Sequence, residues 1–345
     1  MTSGTIRNDV ADRRAEGSHM LMQLPAAEYR VPEGRIFTFP TRLADAYAPE
    51  CLEIIKPPIT VRLGETTISA RWGRSSDLPS FGTYSWRRRA WMRAARPLEV
   101  GDAFLVDFRY ETHVNISHLV TFAAPSALLA RERLNRPVRV ILRRNTSRLS
   151  LAVFAALGLE VLLSDRDVEG DFVVGSNGHD RVYEPYYRRI FDRVAVDESA
   201  EPCDRIYIGR RGSRRLENED EVWPLLKSAG FRRLYFEDYT IPRQWAYARN
   251  AQVIVGLHGA ALSSLVFNRM NVKLVELYHP GYAVDFFRRI VWLMGGAWVG
   301  VYGRMPANLI HELDERGDSE AFHFASTTIS PRSLGMALEH IGVNL

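Results

Sequence analysis

The chain has 345 residues, of which 46% are hydrophobic and 25% are charged, and its formal net charge is +4. These values exclude a disordered or fibrous protein for the bulk of the chain, and the length favours two domains. The small positive excess, without a basic stripe interleaved with aromatic residues, argues against nucleic acid as a partner. The two distant cysteines exclude a disulfide scaffold and a cysteine-ligated zinc site. The longest apolar run, 149–163, is too short to span a bilayer, so we expect a cytoplasmic protein.

Residues 1–20 contain acidic residues and lack the apolar run of a secretory signal, so we set them aside as a disordered tail or a tag remnant. From 21 to about 96, prolines and short β-type runs predict irregular structure with a few strands. The following segment alternates as a βαβ unit does. We predict strands at 103–108, 138–142 and 160–163, one helix ending near 134 and another at 147–157.

Segment 197–204 is polar, contains Pro202 and lacks periodicity, which indicates a linker between domains at 21–197 and 204–345. Beyond it the alternation is regular. Strands are predicted at 205–208, 234–236, 252–255, 273–277 and 298–302, and helices at 218–229, 241–250, 260–268 and 283–294. This pattern predicts a Rossmann-like domain, in which a ligand binds at the carboxyl ends of parallel strands.

The segment 253–278 is the most informative part of the chain. Its apolar strand ends in Gly256, and His258-Gly259-Ala260-Ala261 then opens a helix. Small residues at such a turn let backbone amides approach an anion, and the helix N-terminus adds partial positive charge. A diphosphate fits this place, although an ordinary tight turn with a packed histidine explains the local pattern equally well.

Four arginines, Arg210, Arg211, Arg214 and Arg215, follow the first strand of this predicted domain. Guanidinium groups suit bidentate recognition of phosphate, and this loop leaves the same sheet edge as the histidine turn. The alternative is a solvated run that faces the acidic residues of 217–221. Glu276 ends a strand at the same edge, where its carboxylate is suited to ribose hydroxyls.

The combination of these motifs resembles glycosyltransferase family 61. The resemblance rests on 207–210, Arg215 with Asn218-Glu219, 255–262 with Phe267, and Val275-Glu276-Leu277. It covers about 205–340 and extends faintly to 110–175. The family implies an α/β GT-B type architecture, with two Rossmann-like domains facing a cleft and a C-terminal helix returning toward the N-terminal domain. It also implies a nucleotide-sugar donor, inversion at the anomeric carbon, and neither a metal nor a cofactor.

The resemblance also assigns candidate site residues. The candidate donor-binding residues are Arg210, Arg211, Arg215, Asn218, His258, Gly259, Ala260, Ala261, Ser263 and Glu276. An inverting transfer needs a base, for which we choose His118, with Glu111 in reserve and with Asn115 and His113 on the acceptor side. Family members commonly carry a glutamate shortly after this histidine, and here 119–123 is Leu-Val-Thr-Phe-Ala. The alternative role for His118 is a helix-capping or core histidine.

Two further motifs have simpler interpretations. Asp165-Arg166-Asp167 matches the aspartate pattern that holds a metal in GT-A type transferases, but we interpret it as an acidic surface loop. Arg87-Arg88-Arg89, flanked by Trp86 and Trp91, suits an anionic acceptor or a membrane surface, and a solvated helix face is the alternative.

By its similarity to bacterial family members, the chain is expected to be an inverting glycosyltransferase of surface polysaccharide synthesis, such as capsule. It would use a nucleotide-diphosphate sugar, with UDP preferred, and a glycan or lipid-linked glycan as acceptor, with peripheral membrane contact left open. A non-catalytic nucleotide- or glycan-binding protein of the same fold is the first alternative, because the family glutamate is absent. A polysaccharide pyruvyl transferase-like enzyme, which uses phosphoenolpyruvate, is the second.

Overall fold

The computed structural model describes residues 19–39, 51–78, 84–110, 115–134, 136–175, 180–279, 282–304 and 326–345. Contacts between Cα atoms divide the chain into two compact units. The first consists of Met1–Glu28 and Arg62–Ile190, and the second of Tyr29–Val61 and Phe191–Leu345. No helix in the described ranges combines the length and the apolar character that crossing a membrane requires.

The strands in chain order are β1 (His19–Leu24), β2 (Ala27–Val31), β3 (Gly34–Thr38), β4 (Leu52–Lys56), β5 (Ile59–Leu63), β6 (Thr66–Arg74), β7 (Leu98–Asp107), β8 (Val138–Leu142), β9 (Glu160–Leu163), β10 (Val168–Gly175), β11 (Arg205–Gly209), β12 (Arg232–Tyr235), β13 (Val253–Leu257), β14 (Lys273–Tyr278) and β15 (Ala297–Tyr302). The α-helices are α1 (Trp86–Ala94), α2 (Ile116–His118), α3 (Ala124–Arg133), α4 (Arg148–Ala156), α5 (Tyr187–Asp192), α6 (Glu219–Ser228), α7 (Ile241–Asn250), α8 (Phe286–Leu293) and α9 (Pro331–His340).

The first unit is built on a six-stranded mixed sheet in the order β1-β6-β10-β7-β8-β9. The strands from β10 to β9 are parallel, and β6 and β1 extend the sheet with antiparallel pairing. Strands β7, β8 and β9 fall on the predicted βαβ segment. Apolar side chains of alternate strand positions, such as Leu105, Ile141 and Phe172, are fully buried in its core.

The second unit is built on a seven-stranded sheet in the order β12-β11-β13-β14-β15-β3-β4. All pairs from β12 to β3 are parallel, and only β4 is antiparallel. The predicted parallel sheet of the second half is therefore confirmed. Its central strands are apolar, and Val255, Val275 and Val299 have no exposed surface, as expected when helices cover both faces.

The second unit contains two strands that come from the start of the chain. The sequence-based division assigned 21–197 to the first domain, whereas β3 and β4 complete the second sheet beside β15. Buried Arg288 secures this addition, because its Nη2 donates hydrogen bonds to the carbonyl oxygens of Pro32 at 2.6 Å and Pro57 at 2.8 Å. Lys56 adds an ion pair with Asp285 at 2.8 Å.

The strand order also shows where a ligand is expected. The neighbours of β11 are β12 on one side and β13 on the other, so the winding of the chain reverses at β11. In parallel α/β sheets such a reversal opens a crevice beyond the carboxyl ends of the two central strands. The loops that follow β11 and β13 border this crevice, and they carry the arginine run and the histidine turn.

Candidate functional site

The loop after β11 and the turn after β13 are in direct contact. A Cβ atom added to Gly259 would lie 2.6 Å from Nη1 of Arg210, so the guanidinium group lies against the turn, where a larger side chain would displace it. The φ angle of Gly259, 167°, is extended backbone, so the glycine matters for this space and not for backbone strain. The two anion-binding features predicted from the sequence therefore meet at one point.

Arg210 is half-buried, and its charged neighbour is another arginine. Burial lowers the pKa of Arg210, and the charge of Arg214 lowers it further, while the exposed Glu237 acts in the opposite direction. Within the described ranges no carboxylate forms an ion pair with Arg210. Burial also lowers the pKa of Arg214. Two adjacent, partly desolvated cations are unfavourable in the free protein, and a bound anion would relieve their repulsion.

The backbone at this turn offers amide donors. The eight-residue 3₁₀ helix Ala260–Phe267 begins here, with the Leu262 amide bonded to the Gly259 carbonyl at 3.0 Å. The first amides of any helix lack an intrahelical acceptor, and the small side chains of Ala260 and Ala261 leave theirs accessible. Ser263, which we expected to bind the donor, instead donates its hydroxyl to the Ala260 carbonyl at 2.7 Å. It stabilises the turn.

The buried carboxylate of Glu276 fixes the orientation of the His258 ring. The Nδ1 of His258 lies 2.6 Å from Oε1 of Glu276, which has no exposed side-chain surface. Because a carboxylate only accepts, Nδ1 carries the proton and Nε2 faces away from Glu276. Nε2 makes no hydrogen bond with any residue that the structure describes. The imidazole also stacks on Tyr278, with ring centroids 5.4 Å apart.

Glu276 was expected to accept hydrogen bonds from ribose, and its surroundings correct that expectation. Trp298 donates its indole Nε1–H to Oε2 of Glu276 at 2.6 Å, so both carboxylate oxygens have protein partners. Burial, followed by the nearby charge of Glu276, raises the pKa of Tyr278 well above its usual range. Glu276 is therefore a positioning residue that fixes the imidazole of His258.

Two other predicted donor-binding residues, Arg211 and Asn218, have structural roles, and a third, Arg215, is exposed. Arg211 is exposed, pairs with Asp238 through two hydrogen bonds of 2.6 and 3.0 Å, and lies 4.0 Å over the ring of Tyr235. Asn218 joins the start of α6 to Ile329, donating to its carbonyl at 2.8 Å and accepting from its amide at 2.9 Å.

Arg214 belongs to the arginine run after β11, but it was not among the donor-binding residues predicted from the sequence. Its φ angle is 55°, in the left-handed region that non-glycine residues rarely adopt. It is the charge of Arg214, and not that of Arg215, that lowers the pKa of Arg210. The sequence offers no signal for it, because a run of arginines does not reveal which guanidinium groups converge.

The predicted base belongs to the first unit. Asn115 caps α2 by accepting a hydrogen bond from the Ser117 amide at 3.0 Å, and His118 is the last residue of this helix. The imidazole of His118 packs edge-on against Phe122, with centroids 4.9 Å apart. Glu111 and His113, the other candidates of this segment, lie outside the described residues.

The backbone changes from α to π geometry directly after His118, over Leu119–Ala123. The cause is Pro125, which has no amide hydrogen for the carbonyl of Thr121 four residues earlier. The buried hydroxyl of Tyr187 donates to that carbonyl instead, at 2.9 Å. Such π segments occur frequently at functional sites, and this one lies next to the histidine that we selected.

The aspartate triplet of the first unit is a structural element. Asp167 is buried, which corrects the prediction of a surface loop, and it accepts hydrogen bonds from the Ser75 hydroxyl and from the amide and hydroxyl of Ser76 at 3.0 and 2.8 Å. Asp165 accepts from the Arg144 amide at 3.3 Å. Among the described residues no group of three or more histidine, cysteine and acidic side chains is arranged to hold a metal ion.

Comparisons with known proteins give one family match and several distant structural matches. No curated protein matches the chain. A glycosyl transferase of family 9 from Veillonella parvula is 9% identical, with a TM-score of 0.36, over 72% of this chain and 98% of that chain. The dodecameric iron-containing heptosyltransferase TibC, in complex with ADP-D-beta-D-heptose, is 11% identical over 84% of this chain and 81% of its own, with a TM-score of 0.35. TibC comes from enterotoxigenic E. coli.

The family comparison is more specific than the structural ones. The family model described as Glycosyltransferase 61 matches residues 172–275. This range contains the arginine loop, the histidine turn and the strands that carry them, and it ends one residue before Glu276. The match supports the resemblance that the motifs indicate, because residues 172–275 are similar to glycosyltransferase family 61.

Proposed function

We propose that the chain is an inverting, metal-independent glycosyltransferase that transfers a sugar from a nucleotide diphosphate, preferably a UDP-sugar, to a glycan hydroxyl. The family match supports glycosyl transfer. The observation that carries the proposal is the contact of Arg210 with Gly259 at the strand reversal, where a second half-buried arginine acts on the first. This combination of two cations and accessible amides fits a diphosphate.

In this proposal the diphosphate lies against the amides of Gly259, Ala260 and Ala261, and Arg210 and Arg214 bind its oxygens. Charge-assisted hydrogen bonds from guanidinium groups are about twice as strong as neutral ones. As the glycosidic bond breaks, negative charge grows on the leaving diphosphate, and donors fixed in advance stabilise it. The two arginines supply the positive charge that a metal ion supplies in other transferases.

His258 contributes an oriented donor or acceptor at the same place. Its Nδ1–H is committed to Glu276, so the ring presents Nε2 to the donor side, and the rings of Tyr278 and Tyr282 restrict its rotation. A side chain that is held in this way needs no reorganisation when the ligand binds, which favours the transition state.

The acceptor hydroxyl must lose its proton during the transfer, and we propose His118 as the general base. Histidine exchanges protons near neutral pH, and the π segment that follows His118 makes this part of the first unit structurally distinct. Asn115 and His113 remain our acceptor-side residues, and Glu111 remains the reserve base.

The test is turnover of a panel of UDP-sugars by the full chain with glycan acceptors, measured as released UDP in the presence of EDTA. We expect turnover, with the product anomer inverted by NMR. Retained configuration or loss of activity in EDTA would overturn the mechanism. UDP binding without turnover on any acceptor would favour the non-catalytic binding protein, and thermal stabilisation by phosphoenolpyruvate alone would favour a pyruvyl transferase.

The base assignment has its own test. General-base catalysis contributes about 10²–10⁴-fold, so His118→Ala should lower kcat by that order and leave UDP affinity unchanged. Phe122→Leu is the matched control, because it alters the packing around His118 and keeps the imidazole. Equal losses in the two variants would assign His118 a structural role.

A further inference from the structure

Helix α1 of the first unit is the most unusual surface element among the described residues. It runs from Trp86 to Ala94, begins with Ser85 as N-cap, and contains four arginines, two tryptophans and no acidic residue. Met92 is its buried residue. The side chains of Trp86 and Trp91 are 69% and 56% exposed, although large aromatic side chains gain most from leaving water.

The helical geometry places both tryptophans on the solvent side, one on each flank. Residues advance by about 100° each around an α-helix, so the positions opposite Met92 form one outward face, on which the two tryptophans lie about 140° apart. The residues of that face, all of them exposed, are Trp86, Arg87, Ala90, Trp91, Arg93 and Ala94. Two indole rings that flank the small alanines therefore form the outermost apolar surface of this helix.

The arginines of α1 are mostly left with their charge uncompensated. Arg87 lies over the ring of Trp86 at 5.4 Å, and Arg88 lies over the ring of Tyr84 at 5.3 Å. Arg93 approaches Asp77 at 3.5 Å, but both side chains are more than half exposed, and such pairs contribute little. Within the described ranges this is the only ion pair that α1 makes, so the outward face is strongly basic.

We propose that α1 docks this unit on the surface of an anionic lipid bilayer. Tryptophan is favoured at the boundary between acyl chains and headgroups, and arginine side chains extend from that depth to lipid phosphates. At about 14 Å in length the helix lies in the interface and does not span the membrane. This proposal does not depend on the glycosyltransferase activity, which is assigned to other residues.

Charge and shape select the bilayer over other occupants. A soluble polyanionic glycan would pair with the arginines, but it would leave the two indole rings in water. A second copy of this chain docked through the same face would place arginine against arginine. Only a partner with a negative surface and an accessible apolar layer beneath it uses both features of the helix.

The test is cosedimentation of the full chain with phosphatidylcholine vesicles that contain or lack phosphatidylserine. We expect binding only to the anionic vesicles, weakened by salt. Because each basic residue near such a surface contributes about 1 kcal/mol, Arg87→Glu with Arg93→Glu should lower the partition coefficient at least about 25-fold. Trp86→Ala with Trp91→Ala should lower it at least about tenfold, because interfacial binding scales with the apolar area that is buried.

Matched controls come from the rest of the chain. Trp292→Ala removes another exposed tryptophan, and Arg62→Glu inverts another exposed arginine; neither should change vesicle binding. Thermal unfolding with an unchanged midpoint in all variants verifies that they fold. Equal binding to neutral vesicles, or no binding to anionic ones, would overturn the proposal. Binding that survives loss of both tryptophans and is displaced by a soluble polyanion would assign α1 to an acidic polymer, and a dimer that the tryptophan variant dissociates would assign it to self-association.

Discussion

Buried arginines occur just beyond a central parallel strand in each unit, and their surroundings are opposite. Arg109 follows β7 and donates to Asp107 at 3.0 and 2.6 Å and to the carbonyl oxygens of Ser164 and Arg166 at 3.1 and 2.6 Å. Arg210 follows β11 and faces Arg214, with no ion-pair partner in the described residues. The first arginine completes a network, whereas the second leaves an unneutralised charge in a crevice.

The difference distinguishes a structural arginine from one that we propose to bind an anion. A buried charge costs several kcal/mol unless it is paired and hydrogen-bonded, and Arg109 meets both conditions within the protein. Arg210 has no ion-pair partner among the described residues, and burial together with the charge of Arg214 lowers its pKa. Groups perturbed by burial and by a specific charged neighbour are concentrated at functional sites.

Among the variants that test this comparison, the one that removes Asp107 should have the largest effect, a loss in the free energy of unfolding. Asp107→Ala leaves the guanidinium of Arg109 buried without its carboxylate, and we expect the free energy of unfolding to fall by about 3–5 kcal/mol in urea denaturation. Asp102→Ala is the control, because its pair with Arg139 is exposed and should contribute below about 1 kcal/mol. Similar losses in both variants would contradict the structural role of the buried pair.

Removing Arg210 should affect binding and spare stability. Arg210→Ala deletes a charge-assisted contact of about 1.5–3 kcal/mol, which is about 10- to 150-fold in UDP affinity by calorimetric titration. Unfolding should be unchanged or slightly harder, since repulsion with Arg214 is lost. Arg211→Ala, next in sequence but paired with Asp238, should change affinity less than about fivefold. A larger loss of UDP affinity in Arg211→Ala than in Arg210→Ala would place the anion site at the exposed Arg211 instead.

Glu276→Gln tests the positioning of His258. The amide has one acceptor oxygen for two buried donors, the His258 Nδ1–H and the Trp298 Nε1–H. An unsatisfied buried donor costs about 1–3 kcal/mol, so the variant should be destabilised by that amount in chemical unfolding and should bind UDP more weakly. Trp298→Phe is the companion variant, because it removes one donor and should restore part of the loss in the double variant. If the double variant regains no stability, the contacts of Glu276 with His258 and with Trp298 contribute independently to the free energy of unfolding.

The smallest expected effect is a difference in UDP affinity between a variant of Arg214 and a variant of Arg215. Arg214→Gly keeps the positive φ angle at no steric cost and removes only the side chain, so UDP affinity should fall by roughly tenfold without strain. Arg215→Ala, one residue further on and exposed, should leave affinity nearly unchanged. If Arg215→Ala proves the more damaging, the family-based assignment stands and the crevice assignment is incorrect.

Much of the secondary structure of the second unit could be predicted from the local pattern of apolar residues in the sequence. Apolar strands of four to six residues alternating with amphipathic helices predict a parallel sheet, and β11, β12, β13, β14 and β15 fall on the predicted segments. The histidine turn followed β13 as expected, although its helix is 3₁₀ and not α. The π segment after His118 was not predicted: Pro125 causes it locally, but Tyr187, whose hydroxyl donates to the Thr121 carbonyl in place of the missing amide, lies far along the chain.

By itself the sequence determined the strand and helix alternation of the second sheet and the resemblance to glycosyltransferase family 61, because periodicity and motif spacing are local properties. Tertiary structure alone decided that β3 and β4 join the second sheet, since strand pairing depends on partners distant in sequence. It also decided that Arg214 acts on Arg210 while Arg211 pairs with Asp238, and that Glu276 supports His258 from a dry interior. Arginine side chains of the same run therefore differ in their surroundings, according to which charges and hydrogen-bonding groups the fold brings close to each of them.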